Sequence, residues 1–224
     1  MPYLNRTYRV VDGERIDGSW RHIFIKNGKT YYLSALKVYA DGIIDCWDLV
    51  DFTTFQQKVA SGWVATDLPQ DAQASALHLG MWRFDKPLSA LTPQQLIAEV
   101  ADEIEHLAGR PTSSERCIAA LDRYLDDLSE ASLAALRDAY LAVPEHLRLY
   151  LLGDMDVKDI PLRTLLTPVG DILDRGYPLA EEKPVQSSDH KAALRYFRQR
   201  RKEKRRRETT PSPWELSLIH ISEP

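Results

Sequence analysis

The stretch Trp20–Trp47, WRHIFIKNGKTYYLSALKVYADGIIDCW, constrains the fold of this chain more than any other. Short runs of aromatic and β-branched residues are interrupted there by Asn27-Gly28 and Asp41-Gly42. Such dipeptides accept positive φ at paired turn positions, so they predict tight hairpins between antiparallel strands. Strands are expected at Tyr8–Val11, Trp20–Lys26, Lys29–Ser34, Lys37–Ala40 and Ile43–Trp47, with Asp12-Gly13 ending the first. In this reading Cys46 is a buried, unpaired core residue and Trp47 is packed rather than exposed. Asp51–Ser61 reads as a short helix, with Phe52, Phe55 and Val59 on one stripe and Gly62 placed for a left-handed C-terminus. Trp63–Thr66 and Ala76–Phe84 read as two more strands, joined through the polar loop Asp67–Ala74.

From Thr92 the apolar period changes from about 2 to about 3.6. Thr92-Pro93-Gln94-Gln95 supplies an N-cap, a proline at the first helical position and a glutamine for a capping box. Leu96, Ile97, Val100, Ile104 and Leu107 form the stripe that follows, and Thr112 to Glu115 repeats the capping spacing ahead of the next helix. The expected fold class is α+β: an antiparallel β-meander or roll with one short helix, then a small helical bundle. The expected organisation is a β-domain over 3–87, a bundle over 92–166, a linker over 167–188, a basic helix over 189–208 and a linker over 209–215. Residues 216–224, LSLIHISEP, read as a translated sequencing adapter rather than native protein, so a further C-terminal domain of the same polypeptide is expected beyond Glu215.

Composition narrows the class of protein. With 44% apolar and 28% charged residues the chain matches an ordinary globular protein. Its apolar runs fall far short of the roughly 20 residues a membrane span needs, and its first residues lack a secretory signal. The two cysteines, Cys46 and Cys117, fall in different expected domains, which fits a reduced, cytoplasmic setting without membrane association. The net charge of −4 is uneven. From Arg195 onward there are nine Lys and Arg against four Glu, a tail of +5 on a body of −9.

Several residue groups carry chemistry. Gly153–Asp159 holds the densest carboxylate cluster, and Asp154, Asp156 and Asp159 are candidate Mg²⁺ ligands. With Asp154 and Asp156 as acid and nucleophile and Lys158 on phosphate, this cluster would make a metal-dependent phosphohydrolase. The competing reading has Asp154 and Asp156 turning the chain and Asp159 capping a helix ahead of Pro161. His22, Asp45, Cys46 and His78 would have to converge on one sheet face to form a metal site, and no ligand spacing supports it. His106 and His146 read as surface or capping residues. Trp20, Trp47, Trp63 and Trp82 either line a pocket or fill the β-domain core. Arg195–Arg207 is the strongest charge signal: Arg198, Arg201, Lys202, Arg205 and Arg206 are candidate nucleic-acid contacts, against a solvated helical linker as the alternative. No catalytic residue and no cofactor is assigned.

Two segments, Asn5–Gly13 with Tyr39–Trp47 and Val143–Leu166 (VPEHLRLYLLGDMDVKDIPLRTLL), resemble an uncharacterised family of bacterial proteins. In that family a domain of unknown function precedes a helical one, and the resemblance covers about Tyr3–Phe197. Some such proteins continue into a NADAR-type domain, an N-glycosidase fold acting on ADP-ribose or riboflavin-pathway intermediates. The resemblance therefore implies an accessory module, and the expected role is a non-catalytic one, binding a partner or ligand on behalf of a downstream domain.

Overall fold

The computed structural model describes residues 5–89, 91–153, 156–173 and 183–209, with side chains described as far as Arg206. The chain divides into two compact units, Met1–Arg116 with Leu141–His146, and Cys117–Tyr140 with Leu147–Pro224. The architecture is α+β.

The first unit is built on a long hairpin. Strand β1 (Asn5–Val11) turns through Asp12 and Gly13 into β2 (Glu14–Asn27), and both turn residues have positive φ, as a two-residue hairpin loop requires. The second strand therefore starts six residues before the expected Trp20. It turns at Gly28-Lys29 into β3 (Thr30–Tyr39), with Asn27 paired to Thr30. The Asn27-Gly28 signal is thus displaced by one residue: Asn27 stays in the ladder and Gly28, at φ +62°, takes the left-handed position. At Asp41-Gly42 the turn falls where expected, with Gly42 at φ +83°. Beyond it lie β4 (Ile44–Asp45) and β5 (Leu49–Val50), then helix α1 (Phe52–Ala60), capped by the Asp51 carboxylate accepting from the Thr54 amide.

Three further strands finish the sheet. β6 (Val64–Ala65) pairs with β2, β7 (Gln73–Ala76) runs parallel to β3, and β8 (Gly80–Arg83) pairs with β7. The expected single strand Ala76–Phe84 is instead a hairpin that turns at Leu77–Leu79, with His78 at φ +62°. Part of the expected polar loop Asp67–Ala74 is correspondingly strand.

Pleating sends alternate residues to opposite faces. One face carries Ile23, Ile25, Leu36, Val38, Ile44 and Val64, all buried, and Phe55 and Val59 of α1 pack on it. So do Leu96 and Val100 of helix α2 (Pro93–Leu107), whose capping box at Thr92 and Gln95 forms as read. The boundary expected near residue 92 is therefore not a boundary: α2 closes the sheet core, because its apolar stripe has that face to bury. Leu141–His146 also returns to this unit. The opposite face carries a smaller cluster of Tyr31, Ala65, Ala72 and Ala74 with Phe24, Leu68 and Phe84 around it.

The second unit contains most of α3 (Ser113–Asp126) and α4 (Glu130–Ala142), then α6 (Ile160–Leu166) and α7 (Ser187–Thr209). Between α4 and α6 lies the short α5 (Glu145–Arg148). Helix α6 packs on α7, and buried side chains include Leu121, Leu136, Leu152, Leu162, Leu165 and Phe197. Of the expected 167–188 linker, Ile172 and Pro184 bridge and Ser187 already belongs to α7, while 174–182 lie outside the described residues. Residues 210–224, including the expected adapter translation, also lie outside them. No described helix is long and apolar enough to cross a membrane.

Candidate functional site

The loop joining β4 to β5 holds the least expected residue in the chain. Asp45 pairs with Leu49, which leaves Cys46-Trp47-Asp48 to reverse the strand. Closing so short a hairpin takes a left-handed residue, a position glycine normally fills. Here Trp47 fills it, at φ +79°. A bulky residue in that region is a true outlier and costs on the order of 1–3 kcal/mol. The expectation that Trp47 is packed also fails: it is 45% exposed, because the left-handed backbone swings its side chain away from the core that Cys46 enters.

An aromatic group surrounds it. The Trp47 indole N–H donates to Ser34 Oγ at 2.8 Å, which fixes the ring direction. Its ring lies 5.8 Å from that of Trp63, edge to face, and 5.5 Å from that of Tyr32. Trp63 also packs against the main core, and Lys58 Nζ lies 3.8 Å from its ring centroid. Lys58 also pairs with the exposed Asp48 at 2.9 Å. The result is a half-exposed aromatic centre, rigidly backed and edged by an ion pair. It contains no nucleophile–base pair. Sequence reasoning grouped Trp47 and Trp63 but missed Tyr32, Ser34 and Lys58. The signal that could have found them is a tryptophan in a short turn that lacks glycine.

The other candidates are not brought together. His22 and His78 are exposed, Asp45 pairs with Lys37 at 2.9 Å, and Cys46 is fully buried. Burial pushes the Cys46 thiol up to about 11, and the side chain packs in the main sheet core. Among the described residues no group of three or more His, Cys, Asp and Glu is arranged to hold a metal ion. Trp20 stacks edge-on to His22 at 5.1 Å, and Trp82 meets Phe84 at 6.1 Å. His106 is exposed in the last turn of α2, as expected. His146 is not a simple surface residue: its Nε2 lies 2.6 Å from the buried Glu99, which Arg21 also engages.

Of the carboxylate cluster, Asp154 lies outside the described residues and Asp156 is exposed. Asp159 does not cap α6 through its side chain. It turns inward, fully buried, and accepts from the Tyr140 hydroxyl at 2.8 Å and from Arg163 Nε at 2.9 Å. Arg148 lies 5.0 Å from the Tyr140 ring. A carboxylate neutralised by Arg163 and sealed from solvent organises the second unit's core and is poorly placed to take a metal. On α7, Arg198, Arg201, Lys202, Arg205 and Arg206 do come together: with Leu125 they line one cleft.

Fold and site together define an α+β protein with a displayed aromatic centre. Residues 6–111 match the family described as Domain of unknown function (DUF7638), and residues 112–208 match that described as Domain of unknown function (DUF7639). Together the two matches, each to a domain of unknown function, span residues 6–208. No curated protein and no solved structure matches the chain.

Proposed function

We propose that this chain is a non-catalytic binding module and that Trp47 is its docking point. The observation that carries the reading is the cost accepted at Trp47: a bulky residue held at φ +79° with its indole half in solvent. Local rules are broken mainly where function demands it. The partner is a protein surface that covers the Trp47–Trp63–Tyr32 group, since aromatic anchors of this kind dominate protein–protein recognition. We take that surface to be a further domain of the same polypeptide, of the NADAR type into which some proteins of the resembled bacterial family continue, in a cytoplasmic setting.

The test is to recover the reading frame past Glu215 and express the longer chain beside residues 1–215. Acrylamide quenching of tryptophan emission, with a Trp47→Phe variant to isolate the Trp47 contribution, reports how accessible that indole is. The proposal expects Trp47 to be protected in the longer chain. Equal quenching in both, or a frame that stops at Glu215, would contradict it.

A further inference from the structure

The cleft on α7 is a second site, independent of Trp47. It is lined by Arg198, Arg201, Lys202, Arg205 and Arg206, whose spacing of three to four residues puts them on one helical face, and by the buried Leu125 of α3. Arg198 and Lys202, Arg201 and Arg205, and Lys202 and Arg206 stand four residues apart along it, while Glu203 lies off the cleft and accepts a hydrogen bond from Gln199 at 3.0 Å.

The cationic face is also held in place. Arg201 bonds the Asp126 carboxylate of α3 at 2.5 Å, and Arg200 donates to the Leu152 carbonyl. These two bonds tie the cationic stretch of α7 to α3 and to Leu152. We infer that this face is a site for the phosphate backbone of a nucleic-acid duplex, bound without regard to sequence. From Arg198 to Arg206 the helix rises roughly 12 Å, a length over which a duplex carries about seven charges. Among the described residues no aromatic side chain lines the cleft, so stacking on unpaired bases is not invoked. A membrane surface fits less well. Among the described residues the apolar side chains of α7 lie ahead of the cations, with Ala193 and Phe197 buried, and leave no apolar face to insert beside them.

Fluorescence anisotropy with a short labelled DNA duplex tests the site. About four phosphate contacts give a log–log salt slope of about −3.6, or roughly a hundredfold loss of affinity between about 50 and about 200 mM salt. Lys202→Gln/Arg206→Gln, at exposed positions where helix propensity is kept, should shallow the slope by about two and weaken binding at least about tenfold at the lower salt. The charge-matched Lys191→Gln/Arg195→Gln, on the same helix but outside the cleft, should retain the wild-type slope. Circular dichroism checks that both doubles stay helical. Absence of duplex binding at the lower salt overturns the inference, as does equal weakening by the two doubles. Binding to phosphatidylserine vesicles with none to the duplex also overturns it and makes the face a membrane contact.

Discussion

A methyl group at position 18 would sit 2.6 Å from Tyr39 Cδ1 and 2.6 Å from the Val38 carbonyl oxygen. The carbonyl belongs to the β-ladder and cannot give way, so Gly18 is where the Tyr39 ring closes over the middle of β2. Gly18→Ala is expected to cost about 1–3 kcal/mol, as other overpacking substitutions do, read as a lower urea midpoint with unchanged slope. An unchanged midpoint would mean that the contact is not tight. Nothing in the local pattern distinguishes this glycine from one in a turn; its role comes from a ring on the neighbouring strand. Trp47 shows the converse. Its aromatic neighbours in sequence read as core, and the rule that positive φ calls for glycine or asparagine gives no warning when tryptophan takes the position. Cys46, one residue earlier, was legible because small apolar residues between strands are buried almost by default.

At the level of elements, capping chemistry was the most readable part of the chain. Thr92 and Thr112 each accept from the backbone three residues on, as their spacing dictates, and Asp51, expected as the first residue of its helix, does the same as an N-cap. Asp159 has the same apparent signature and behaves differently, because Arg163 and Tyr140 offer a buried carboxylate more than a helix end does. Those partners come from another helix and from the next turn, so sequence spacing could not reveal them. The network has a testable pH dependence. Burial, then the hydrogen bond to Asp159, then the Asp159 charge push the Tyr140 hydroxyl up to about 12, with Arg163 opposing. The folded state therefore prefers the neutral phenol. Its contribution is complete below about pH 10 and is lost as pH rises through about 12, roughly 2–3 kcal/mol in all. Unfolding free energies across that range should fall more steeply for wild type than for Tyr140→Phe. Parallel profiles would place the alkaline loss elsewhere.

For the whole molecule, the change from strand to helix periodicity near Thr92 was clear in the sequence, but it did not mark where one unit ends. Periodicity reports which face of an element is apolar, not which neighbour covers it. Helix α2 covers the sheet, and Leu141–His146 returns to the same unit, where His146 meets Glu99. The basic character of α7 was legible from composition, whereas its gathering into a cleft with Leu125 depends on α3 lying beside it. These features describe a module with two prospective contacts, one aromatic and one cationic. The aromatic one carries the functional account, and it holds only if Trp47 is displayed for a partner and is not needed by the fold. Urea unfolding of wild type against Trp47→Gly decides this directly. Glycine relieves the left-handed backbone while removing the ring, so the account predicts a stability within about 1 kcal/mol of wild type. A loss of about 3–5 kcal/mol, the range for truncating a core aromatic, would make Trp47 a structural residue and contradict the account.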